Sequence, residues 1–312
     1  MIVVLVLSSL GLLLLPGCLR RAGRRLPPAE WAQLSVVVLG LGAVMFETAL
    51  LLLGAPTVLR ALGAPVLADI CQRLLGSLVP GGPVAGWWAA GSAIAIPAIA
   101  GRGAWQAIRA HRALRIEPLL GRHHGLGRHE LVVLPSQQVF AFSIAGRRSQ
   151  VIVSEGLAGQ LSPQELQAVL RHEVAHLERR HQRWLVLVTA LEHGLVLLPL
   201  LRRSTAALRC ALERWADEDA AGNSPEGRAT LHAALVRVTN AMLAPGVAAF
   251  SAADTLLERL QAMERALPPP PLLQRWLVYV PLALIGGLTV MSLDLWLGDA
   301  HFVVATMGLC PA

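Results

Sequence analysis

Apolar residues run almost unbroken through four stretches of the chain: Ile2 to Cys18, Trp31 to Leu53, Pro83 to Ala100 and Trp276 to Leu293. Crossing about 30 Å of hydrocarbon takes roughly 20 helical residues, so the pattern predicts four transmembrane helices. Between the third and fourth, Gly101 to Arg275 mixes polar and apolar positions and is the only stretch able to enclose a core of its own. The chain therefore divides into residues 1–100, 101–275 and 276–312. A fifth apolar stretch, Trp184 to Leu201, is bracketed by Arg179, Arg180 and Arg183 on one side and Arg202 and Arg203 on the other. It carries Glu192 and His193 at its middle, which is costly in lipid, so it is expected to be re-entrant, interfacial or buried rather than spanning. Val66 to Val79 has the apolar stripe of a helix lying on the outer membrane face. Glu47, an ionisable group within span two, is a functional hypothesis by default.

Inside 101–275 a helix is expected to leave the membrane and end near Pro118, followed by a loop with solvated His123 and His124. Glu130 to Leu134, Val139 to Ala145 and Gln150 to Ser154 have strand composition, divided by Pro135 and by Gly146-Arg147-Arg148, and predict a small, mostly antiparallel sheet. Ser162-Pro163-Gln164-Glu165 is a capping box that starts a helix running to about His181. Phe250 to Ala266 reads as an amphipathic helix and Pro268 to Pro271 as a stiff linker into span four.

Charge then orients the molecule. All 27 basic residues are Arg; Arg20, Arg21, Arg24 and Arg25 lie between spans one and two, 21 lie within Gly101 to Arg275, and only Arg60 and Arg73 fall in the remaining loop. The positive-inside rule places the first loop and the large domain in the cytoplasm, with both termini outside. Trp31, Trp105 and Trp276 at the inner ends of spans, and Trp87, Trp88 and Trp296 at the outer ends, fit interfacial belts. Leu15-Pro16-Gly17-Cys18 has a faint lipoprotein-box look, but a signal peptide needs positive charge ahead of its apolar run, so span one is expected to stay uncleaved. With 54% hydrophobic and 15% charged residues, the composition is not that expected of an ordinary soluble enzyme. The net charge of +7 follows the membrane and forms no aromatic-interleaved patch, so no direct nucleic-acid role is expected. Cys71 and Cys310 fall on the oxidising side and are expected to pair, leaving Cys18 and Cys210 as free thiols.

The chemistry is carried by His172-Glu173-Val174-Ala175-His176. Two histidines four apart share a helical face and can hold one Zn²⁺, and the Glu after the first reaches the attacking water. A catalytic zinc site wants a third protein ligand. Glu213 can supply it from a second helix, and Asp217, one turn on, can accept the other ring N–H of a ligating histidine. Glu173 is then the general base and His232 a candidate oxyanion stabiliser, while Val139, Phe140, Ala141, Phe142 and Ser143, which resemble the strand that membrane gluzincin peptidases place beside the active site, can pair with an extended substrate. Because His172, His176 and Glu213 must meet, both flanks of Trp184 to Leu201 lie on one side of the membrane.

His172-Glu173-x-x-His176 followed by Glu213-x-x-Ala216-Asp217-x-x-Ala220 resembles the signature of the membrane gluzincin peptidases, both the Ste24/HtpX group and the BlaR/MecR group. The resemblance covers about Glu130 to Ala221. It implies a zincin-like α+β metallopeptidase domain on a multi-pass α-helical membrane protein. Three spans before the domain and one after are similar to the BlaR/MecR plan, which implies an antirepressor-like endopeptidase acting in signal transduction, with a winged-helix repressor as substrate. The chain is expected to lack the penicillin-binding sensor of those receptors, and His181 stands where an Asp is common in the family. HtpX-like quality control of membrane proteins, and a non-catalytic signalling or scaffold role, stay open at this point.

Overall fold

Small residues set how closely the first helices pack. The structure is a computed structural model that describes residues 2–75, 82–113, 121–146, 149–222, 224–242, 250–264 and 272–306. Its N-terminal part comprises α1 (Ile2–Cys18), α2 (Arg20–Gly23), α3 (Pro28–Ala61), α4 (Pro65–Leu75) and α5 (Pro83–Ala113). A Cβ on Gly54 would lie 2.8 Å from Ala90, and one on Gly42 3.0 Å from Leu13, so α3 meets α5 and α1 at near backbone contact. α3 and α5 are long and apolar enough to cross a membrane, whereas α1 and the apolar part of the last helix, Arg275–Met291, are shorter. Among the described residues, two of the four expected spans meet that length.

Trp31, expected in an interfacial belt, is turned into the protein. It is 4% exposed and lies against Gly23, where any Cβ would collide with the indole, in a core with Leu26 and Leu39. Trp87, Trp88, Trp105 and Trp276 are exposed; the Trp296 side chain lies outside the described residues. Val66 and Leu67 of α4 are exposed, as a surface-lying apolar stripe requires, and Glu47 is half-buried on α3.

Four strands form one sheet: β1 (Arg122–Leu126), β2 (His129–Leu134), β3 (Ala141–Ile144) and β4 (Gln150–Ser154), in the order β1-β2-β4-β3. β1 replaces the expected loop; Gly127, at φ +59°, closes its turn to β2, and the two strands pair antiparallel. His123 and His124 are exposed on this edge strand, with His123 Nδ1 2.6 Å from Glu130 Oε1. β2 and β4 pair in parallel, and β3 and β4 antiparallel. Buried Val151, Ile152 and Val153 make β4 the hydrophobic centre.

Ser154 caps the short α6 (Glu155–Ala158), and the predicted capping box opens α7 (Pro163–Glu178): Ser162 Oγ accepts from Glu165 N at 3.3 Å and Glu165 Oε2 accepts from Ser162 N at 2.8 Å. α7 stops short of His181, because Arg180 adopts a left-handed conformation, φ 56°, and restarts the chain as α8 (His181–Gly194). After a turn that exposes Val196, Leu197 and Leu200, the chain returns as α9 (Leu201–Ala221), and Arg209 of α9 donates to Glu192 of α8 at 2.9 Å. Trp184 to Leu201 thus makes up most of α8 and the turn that reverses the chain into α9.

Val188 and Leu191 of α8 and Leu208 and Leu212 of α9 share one core with Leu13, Leu26 and Leu39. Packing is therefore continuous across the boundary expected at Gly101, and α5 runs through it to Ala113. α10 (Pro225–Met242), α11 (Phe250–Glu264) and α12 (Leu272–Thr306) complete the chain. Among the described residues Cys18, Cys71 and Cys210 form no disulfide; Cys310, the expected partner of Cys71, and the Pro268 to Pro271 linker lie outside the described residues.

Candidate active site

On α7, the four-residue spacing of His172 and His176 brings their rings together edge-to-face on one side of the helix, with the two Nε2 atoms 3.1 Å apart. α9 packs against that face and brings Glu213 to them, Oε2 3.5 Å from His172 Nε2 and Oε1 3.6 Å from His176 Nε2. One ligand atom from each of the three lies within 4.8 Å of the others. Zinc bonded at about 2.0–2.1 Å in a tetrahedron separates its ligand atoms by about 3.4 Å. The cluster has that size, and its two imidazoles and one carboxylate are the donor types zinc takes.

The surrounding groups orient these donors through their other ring nitrogens. His172 Nδ1 lies 2.9 Å from Asp217 Oδ1, as the spacing predicts. His176 Nδ1 lies 2.9 Å from His181 Nδ1, so one of that pair carries the hydrogen and the other accepts it. His181 is fully buried and stacks obliquely on Trp215, with ring centroids 5.1 Å apart. Arg259, on α11, donates to both Asp217 oxygens at 2.7 and 2.8 Å and sits 3.1 Å from Glu213 Oε2.

Burial on its own would raise the Glu213 carboxyl, but its contacts with His172 and Arg259 hold it well below the usual carboxylate range. Arg259 does the same for buried Asp217. Burial would lower His172, yet hydrogen bonding to Asp217 and Glu213 prevails and raises it to about 10. Burial, then the charge of His172, lowers His176 to about 4. Glu173 is pushed up by burial, which strengthens it as a base.

A cavity of about 390 Å³ opens onto the cluster, lined by His172, Glu173, His176 and Glu213, by Ala141, Phe142 and Ser143 of β3, and by apolar residues of α10. Two expected placements are corrected. Val139 and Phe140 lie before β3 and pack into the core, because the Phe140 backbone is tied to Ser154, so the strand at the cavity begins at Ala141. His232 points toward Glu264, 3.6 Å away, because Leu231 and Leu235 form the cavity face of α10 and His232 lies a step around the helix.

Arg259, His181, Gln182 and His111 join the site without having been assigned a part in it from sequence; the last two line the cavity. The one available signal was His181 itself, at the position where an Asp is common.

Residues 114–258 match the family described as Peptidase family M48. A stretch of 82 residues is 33% identical to the plastoglobule-localized metallopeptidase 48, chloroplastic, of Arabidopsis thaliana. That stretch covers 26% of this chain and 24% of the relative, so the chain spans about a quarter of the length of the curated relative it matches. No solved structure matches the chain. The matched segment contains the metal cluster, and the likeness supports a zinc-dependent metallopeptidase domain there.

Proposed function

We propose that the chain is an integral-membrane zinc endopeptidase that hydrolyses peptide bonds of a protein substrate on the cytoplasmic side. The observation that carries this reading is the meeting of His172, His176 and Glu213 at tetrahedral spacing, with Glu173 in the same cavity. His172 and His176 would hold the ion through Nε2 and Glu213 through a carboxylate oxygen. Bound zinc supplies Lewis acidity, polarising the scissile carbonyl and acidifying the attacking water. Glu173 takes the proton of that water and hands it to the leaving amine. Asp217 and His181 fix the tautomers of the two histidines. β3 offers its outer edge to an extended substrate.

The arginine asymmetry supports a cytoplasmic site, and the four apolar runs support four spans. The resemblance to the BlaR/MecR plan makes a winged-helix repressor the first substrate to test, with misfolded membrane proteins as the alternative. Hydrolysis of an unstructured peptide by the purified chain should stop on chelation and return with zinc. Turnover that chelation does not touch would overturn the reading.

A further inference from the structure

β3 is an edge strand, and its backbone groups alternate between its partner β4 and the open side. Ser154 N donates to Phe140 O, so the register turns Phe140, Phe142 and Ile144 toward β4 and Ala141, Ser143 and Ala145 outward. An incoming strand would use those outward groups. The carboxamide of Gln182, however, already bridges two of them: its Nε2 donates to Ser143 O at 2.7 Å, and its Oε1 accepts from Ala145 N at 3.2 Å. One amide donating to residue i and accepting from residue i+2 copies what a residue of a parallel neighbouring strand would do. Gln182 also lines the cavity with Ala141, Ser143 and the metal cluster.

We infer that Gln182 is a stop for the substrate strand: it leaves the Ala141 N–H and C=O and the Ser143 N–H for pairing and closes the edge beyond them. This rests on the peptidase reading and deepens it. An edge strand without a stop would pair along its whole length with any extended chain. With one, the substrate is held by about three backbone bonds beside the cluster and must leave the sheet at Ser143, so Gln182 is a positioning residue that limits recognition to a short segment.

The test uses the full-length chain carrying Glu173→Gln, zinc-loaded in detergent, and a nested series of labelled extended peptides lengthened one residue at a time, with binding read by fluorescence anisotropy. With Gln182 in place, affinity should level off once a peptide reaches the position facing Ser143. With Gln182→Ala added, affinity should keep rising, so that the ratio of affinities between the longest and shortest peptides is about tenfold larger, as two recovered hydrogen bonds imply. Gln182→Glu, which still accepts from Ala145 N but cannot donate to Ser143 O, should give an intermediate ratio. An unchanged ratio, including uniform weakening across the series as a merely structural role would produce, overturns the inference, as does absence of binding by every peptide. The peptidase reading fails by a different result: hydrolysis by the otherwise wild-type chain that is indifferent to zinc or to Glu173.

Discussion

The 2.9 Å approach of His176 Nδ1 and His181 Nδ1 fixes which nitrogen His176 can offer to a metal. With Nε2 turned to the cluster, the hydrogen stays on Nδ1 and His181 accepts it; the His181 hydrogen then sits on Nε2, which is buried without a hydrogen-bond partner among the described residues. His181→Ala should weaken zinc about 10- to 100-fold, the usual cost of losing a group that orients a ligating histidine, and titration against a zinc chelator would read it. Burial, with the charge of His176 adding to it, lowers His181 to about 4. A buried histidine with a depressed pKa favours the neutral form, so its contribution to stability is whole above about pH 6.5 and is lost as pH falls toward 4, by up to about 3 kcal/mol. Denaturation of the metal-free chain should show that decline, and His181→Gln should shallow it; identical curves would remove His181 as the cause. At this scale the two halves of the cluster were legible because their spacing is local: His172 to His176 and Glu213 to Asp217 are each one helical turn. Arg259 was not legible, because only the fold brings it across 42 residues to Asp217. His232 was misread because nothing in its own neighbourhood says which face of α10 meets the cavity.

One residue decides how α7 and α8 are joined. On an unbroken helix His181 would lie about 140° around from His176, at about 100° per residue, and could not reach its ring. The left-handed Arg180 breaks the helix and folds His181 and Gln182 back toward the cluster and β3. That break is why the sequence reading, which ran one helix to His181, could not see either partner. Arginine pays roughly 1–2 kcal/mol for this conformation and glycine does not. Arg180→Gly should therefore raise the thermal midpoint while keeping zinc, and Arg180→Val should lower both; a lower midpoint for the glycine variant would contradict the account. The sheet and capping box were legible from alternation and from Ser162 to Glu165, whereas β1 was hidden in an Arg- and His-rich stretch without apolar alternation. α8 also packs tightly on α5, where a Cβ on Gly194 would lie 2.8 Å from Ala100 Cβ and 3.1 Å from Ile96 O. Gly194→Leu should destabilise by about 1–3 kcal/mol in chemical denaturation.

Across the whole molecule, α8 and α9, the second of which carries Glu213, share a core with α1 and α3, whereas α7 packs in cores of its own, so the Glu213 side of the site is built onto the N-terminal bundle. The apolar runs made the two helices of membrane-spanning length, α3 and α5, legible; they did not reveal this shared core, because a leucine facing lipid and one facing another helix look alike in sequence. The 25 to 2 division of arginines predicts that a reporter active only in the cytoplasm works when fused after Arg128 or Arg228 and fails after Ala312. Activity of the last fusion would reverse the orientation. The central claim is that His172, His176 and Glu213 hold a zinc ion that Glu173 uses to hydrolyse peptides. It is tested most directly by measuring zinc content and peptide hydrolysis together, on purified wild type and Glu173→Gln. The account predicts about one zinc per chain in both and a loss of at least about 100-fold in hydrolysis in the variant alone; equal turnover in the two proteins, or no zinc in the wild type, would contradict it.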